Sequence, residues 1–121
     1  MRTRLAAVVA AVLLLLLPAA AGAHAFLDRA EPRVGSKVHG PPAQVTLWFT
    51  ERLEPAYSRV TVLNEAGVQV DRGDVEVASG DPRMLRVSVA ALPPGSYKVI
   101  WRVLSVDSHL TEGDFTFRVA R

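Results

Sequence analysis

Apolar residues recur at every second position in several short stretches of this chain, and that period dictates half-buried strands rather than helices. Val45, Leu47 and Phe49 share one face of QVTLWFT. Tyr97, Val99, Trp101 and Val103 share one face of SYKVIWRV, opposite Lys98 and Arg102. Leu85, Val87 and Val89 repeat the pattern in MLRVSV, and Phe115, Phe117 and Val119 in DFTFRV. Between these runs stand turn signals: GPP at Gly40 to Pro42, NEAG at Asn64 to Gly67, SGDP at Ser79 to Pro82 and LPPGS at Leu92 to Ser96. SRVTVLNEAGVQV reads as a hairpin closed by a four-residue loop. About seven short strands with regular turns, and no sustained helical period, predict an all-β chain: an immunoglobulin-like antiparallel β-sandwich with Greek-key connections. Trp48 and Trp101 are both assigned to its core, although Trp48 falls on the face opposite Val45, Leu47 and Phe49.

The first part of the chain follows a different rule. After Arg2 and Arg4, an uncharged Ala/Leu/Val stretch runs to Ala23, broken by Pro18. A basic start, an apolar middle and a small-residue exit make a secretory signal peptide, so residues 1–23 are expected to be cleaved and 24–121 to form the working domain. The rival is a retained transmembrane anchor, because the stretch approaches the roughly 20 residues that span a bilayer. The alanines and Pro18 before an A-x-A site favour cleavage, and with it an exported protein in a periplasm or other extracytoplasmic space.

Cleavage also changes the charge. Two of the 14 Lys and Arg lie in the leader and none of the 12 acidic residues does, leaving 12 against 12. Without a clustered basic face, nucleic acid is not expected as a partner. The chain has no cysteine, which excludes thiolate metal sites, thiol catalysis and lipid anchoring through Cys, and leaves stability to packing and to the help a bound metal can give.

Three histidines remain to be weighed. His24 follows Ala21-Gly22-Ala23, and a cut there makes it the N-terminal residue, with its α-amine and imidazole Nδ1 able to chelate one metal ion. Ala19-Ala20-Ala21 and Ala23-His24-Ala25 are also A-x-A triplets, so the leader alone leaves cleavage after Ala21, Ala23 or Ala25 open. In SVDSHLTEG, Asp107 and His109 are one residue apart, and if strand geometry persists they point to one side. An amine, two imidazoles and a carboxylate form an N,N,N,O set that suits tetragonal Cu(II). His39, in KVHGPP, has no acidic or histidine neighbour in sequence and reads as a loop residue.

At these residues the chain resembles the CopC family of periplasmic copper-binding, copper resistance proteins. HAFLDRAEPRVGS, VTLWFTERLEPAYSRVTVLNEAG and YKVIWRVLSVDSHLTEGDFTFRV carry the likeness over essentially the whole mature domain. The resemblance matches the family's N-terminal histidine to His24 and its D-x-H pair to Asp107 and His109, which selects the His24 register. It implies one tightly held Cu(II) per chain, and an acidic residue in FTERL places Glu51 near the site in an outer-shell role. Some members carry a second, Cu(I) site rich in methionine; here Met84 alone remains after the leader, and no Cu(I) methionine site is expected. Ser108 stands where glycine is common, a change expected to alter loop freedom more than ligation.

The expected function is therefore a monomeric, non-enzymatic copper carrier or buffer in copper resistance, homeostasis or import. A partner implied by the resemblance is an inner-membrane copper import protein of the CopD type. Two other readings use the same residues differently: a copper oxygenase built on the N-terminal histidine chelate, and a metal-free immunoglobulin-like interaction module.

Overall fold

A computed structural model describes residues 25–121. The leader and His24 lie outside the described residues. The described residues form eight strands in two four-stranded sheets. The first sheet is ordered β1-β3-β6-β5, from Leu27–Glu31, Gln44–Phe49, Met84–Ser88 and Glu76–Val77. The second is ordered β2-β8-β7-β4, from Lys37–Val38, Leu110–Val119, Gly95–Leu104 and Arg59–Leu63. All pairings are antiparallel except β2 with β8, which run parallel. The sandwich expected from the alternation is thus present, with β2 added as a short parallel edge.

The period-two runs face inward as read. Val45, Leu47 and Phe49 of β3 and Leu85 and Val87 of β6 pack against Val60 and Val62 of β4, the Tyr97 to Val103 series of β7, and Phe115, Phe117 and Val119 of β8. Two aromatic contacts organise this core. Phe49 meets Trp101 edge-on across the two sheets, ring centroids 5.2 Å apart, and Tyr97 stacks on its cross-strand neighbour Phe117 at 5.5 Å. Such pairs add about 1 kcal/mol each beyond the apolar area they bury. The Tyr97 hydroxyl donates to the Pro93 carbonyl, tying the start of β7 to the loop before it.

Trp48 corrects the core assignment. It lies on the outer face of β3, half-buried, with the Arg29 guanidinium 4.0 Å above its ring. Period two sends it outward, and a cation over the indole covers one face that the core does not.

The β4 hairpin departs from the reading in its second arm. Asn64 Oδ1 accepts N–H bonds from Ala66 and Val68 and shapes the turn. Beyond it only one bridge forms, Leu63 to Gln69. Further along, the Asp71 carboxylate takes the Val62 N–H at 2.8 Å and also accepts from Gln69 Nε2 and Gly73 N. With the Val70 N–H donating to the Val62 carbonyl at 2.8 Å, a side chain there shares the work of a strand.

One glycine is fixed by packing. Gly113 lies opposite Trp101, and a Cβ built on it would stand 2.5 Å from Trp101 Cζ2. A rigid ring enclosed in the core cannot yield as a flexible chain would. Gly113→Ala is expected to destabilise the sandwich by about 1–3 kcal/mol through overpacking, seen as a lower urea midpoint with an unchanged m-value. Gly67→Ala, whose Cβ meets no atom within 4 Å, separates this effect from backbone strain: it carries the cost of its positive φ, but its aromatic NMR shifts stay native, whereas those of Trp101 move in Gly113→Ala.

Candidate metal centre

The β7–β8 hairpin closes through Ser105 to His109, and both residues of the D-x-H pair stand in that loop. The strand geometry anticipated for them ends at Leu104. What brings them together is the turn itself. Ser105 N–H donates to the His109 carbonyl at 3.0 Å, and Ser108 N–H to the Ser105 carbonyl at 2.9 Å. His109 Nδ1 then lies 3.2 Å from Asp107 Oδ2, with both side chains about two-fifths exposed.

Ser105 is the residue that the sequence reading passed over. It is fully buried, and its hydroxyl donates to Asp107 Oδ1 while also lying 3.2 Å from the His109 carbonyl. One side chain therefore holds both ends of the loop. The signal was present as serine two residues before an aspartate, a pattern typical of side-chain-closed turns. The Ser105 hydroxyl holds the Asp107 carboxyl below its ordinary range against the opposing effect of desolvation, and the adjoining His109 adds to the lowering. Asp107 is accordingly kept as a carboxylate.

Ser108 adopts φ 70°, the left-handed region that favours glycine. The turn geometry thus gives a physical reason for glycine at this position, and serine occupies it at some cost in strain.

Two other segments meet the loop. Leu53 bridges to Ser105, and Val106 N–H donates to the Arg52 carbonyl at 3.0 Å, so the stretch after β3 runs beside the pair. Glu51 stands half-exposed in that stretch. Among the described residues, however, no three His, Asp or Glu side chains cluster tightly enough to hold a metal, so Glu51 does not close on Asp107 and His109.

The second segment is the start of the described chain. Thr111 Oγ1 donates to the Ala25 carbonyl at 2.7 Å, Phe26 N–H donates to Thr50 Oγ1 at 3.0 Å, and Thr50 N–H returns a bond to the Phe26 carbonyl at 2.9 Å. Ala25 is buried. It is therefore clamped between the end of β3 and the start of β8, with Thr111 only two residues beyond His109. His39 lies elsewhere, at the far end of the sandwich beside Lys37 and Arg118.

The model of the CopC domain matches residues 27–120. The chain belongs to the CopC family. Protein YobA of Escherichia coli K12 is 34% identical over 98 residues, covering 80% of this chain and 79% of that protein. Copper resistance protein C of Pseudomonas syringae pv. tomato is 32% identical over 111 residues, covering 87% of each. Among solved structures, the crystal structure of CopC from Methylosinus trichosporium OB3b superposes with a TM-score of 0.75 at 38% identity, covering 80% of this chain and 94% of that one. This CopC domain contains no described helix long and apolar enough to cross a membrane.

The role of Ser105 can be read by titration. In Ser105→Ala the Asp107 carboxyl loses its main donor, and its pKa is expected to rise toward the ordinary value in a carboxyl ¹³C NMR titration. Because the wild-type value is depressed, the stability that this carboxylate contributes is present above its unfolded-state value of about 3.9 and is lost as pH falls through the lower folded one. The acid-unfolding midpoint of Ser105→Ala should therefore move up in pH.

Proposed function

We propose that this CopC-family chain is an exported Cu(II) carrier or buffer, working in copper resistance or homeostasis rather than as an enzyme. The observation that carries the reading is the clamp on Ala25. Its carbonyl is bonded to Thr111, and His24 is the residue directly before it in the chain. Cleavage after Ala23 then delivers a free α-amine and an imidazole to the end of the sandwich where Asp107 and His109 stand. Family membership and the name of the Pseudomonas syringae relative, a copper resistance protein, support the same reading.

In this reading His24 supplies its amine and Nδ1, His109 one imidazole nitrogen and Asp107 a carboxylate oxygen to a single Cu(II). The set combines borderline nitrogen donors with one hard oxygen, which suits Cu(II) and leaves Cu(I) without a soft ligand. Met84, on β6 opposite Trp48, is the sole methionine beyond Met1. Ser105 keeps the Asp107 carboxylate charged and in place. Glu51 acts on the site from outside, orienting the amine or a bound water. Copper binding weakens in acid because amine and imidazole must release protons to bind. The domain works as a monomer and passes its ion to an inner-membrane import protein of the CopD type.

The test is Cu(II) titration of the mature protein beginning at His24, followed by the d–d absorption band and EPR. One equivalent should saturate the signal with a nitrogen-rich spectrum. Glu51→Gln should weaken binding by about 10–100-fold, as outer-shell changes do, and His24→Ala by more than that. Adding one residue before His24, which moves the amine and leaves the imidazole, should also weaken it. A spectrum undiminished in His24→Ala would overturn the reading, as would N-terminal sequencing of exported protein that starts at Phe26.

A further inference from the structure

The end of the sandwich opposite Asp107 and His109 holds an open recess of about 810 Å³. The ten residues of β7 separate the two ends, roughly 30 Å at the usual rise per residue. Val70, Leu92 and the Pro93-Pro94 pair supply apolar wall, and Lys37, His39, Arg118 and Arg121 supply the cationic and N–H-bearing groups.

The positive charge here exceeds the negative. Lys37 and Arg118 are register partners in the parallel β2–β8 pair, both exposed, so two like charges stand side by side. Like charges directly opposite one another destabilise a sheet. Among the described residues neither Lys37 nor Arg118 makes an ion pair; the close acid–base contacts found are Arg86 with Glu76 and His109 with Asp107. The one acidic side chain lining the recess is Glu65, and its Oε1 is already engaged by the Ser96 N–H at 2.9 Å. A fold that places Lys and Arg together at a concave, partly apolar wall and leaves them unpaired has the elements of an oxyanion site. Arginine offers a planar fork to phosphate oxygens and lysine a point charge beside it.

We infer that this recess binds a phosphate group carried on an organic body, with Lys37 and Arg118 as its principal contacts and the Val70, Leu92 and proline wall against the body. The site is independent of the metal reading and stands at the far end of the domain from it. The phosphate comes either from a lipid headgroup or from a free phosphate compound, which share this chemistry.

The experiment uses the metal-free mature domain in two arms. In the first, sodium pyrophosphate is titrated into ¹⁵N-labelled protein and followed by ¹H–¹⁵N correlation spectra. Saturable shifts are expected at the amides of Lys37 to Gly40, Gly95 and Ser96, and Arg118 to Arg121. In the second, sedimentation with phosphatidylglycerol vesicles is compared with phosphatidylcholine vesicles.

Lys37→Gln with Arg118→Gln should weaken binding at least tenfold in whichever arm is positive, while keeping the native spectrum, because it removes a repulsion and no pairing. Arg59→Gln with Arg102→Gln removes the same charge from the other half of the same sheet and should leave binding within twofold. Binding to phosphatidylglycerol vesicles identifies a headgroup as the source; saturation by pyrophosphate without vesicle binding identifies a free phosphate compound. No saturable binding in either arm, shifts spread over all basic residues, or equal loss in the two double variants would overturn the inference.

Discussion

The ten-pair ladder between β7 and β8 is the constraint on which the other features rest. It runs without a break from Gly95 opposite Val119 to Leu104 opposite Leu110. Its inner face contributes three of the four rings in the two core aromatic pairs, Trp101 and Tyr97 on one strand and Phe117 on the other, with Phe49 coming from β3 across the sandwich. Because both strands alternate strictly, every register position has a fixed side, and a one-residue slip would turn the whole inward set to solvent. The ladder also sets what stands at its two ends. One end is closed by the Ser105 to His109 turn, and the other is flanked by Lys37 and the Pro93-Pro94 loop.

At the closed end, the work of positioning is done by hydroxyls rather than by charged groups. Ser105 holds the loop from within, while Thr50 and Thr111 hold the incoming chain from either sheet. Each is short and neutral, so it fixes backbone atoms without adding a ligand that would compete for an ion. The two segments are distant in sequence, and the entropy of holding the chain at Ala25 beside a loop more than eighty residues on is met by these hydrogen bonds and by the burial of Ala25.

Much of this was legible from residue order alone, and for a physical reason. The β3, β6, β7 and β8 runs are buried on one face only, so their composition carries the period directly. Trp48 obeyed that same period, and assigning it to the core gave residue type precedence over position. The D-x-H pair was legible as a pair, but its cause was misread: alternation stops at Leu104, and a turn closed by Ser105 replaces it. The threonine clamp was not legible, because its partners are 24 and 86 residues apart and nothing local marks them. The parallel β2 was invisible for another reason. Two residues are too short to show any period.

Asp71 has a consequence beyond the hairpin it completes. β4 is the outer strand of its sheet, and an outer strand offers a row of backbone groups to any extended segment that drifts past, including one from another copy of the same protein. At Val62 that invitation is withdrawn by a carboxylate, which satisfies the amide but has no donor on its far side with which to continue a ladder. Gln69 and Gly73 hold the carboxylate in place. The carboxylate, together with the Val70 N–H that donates to the Val62 carbonyl at 2.8 Å, thus closes this edge to a further strand.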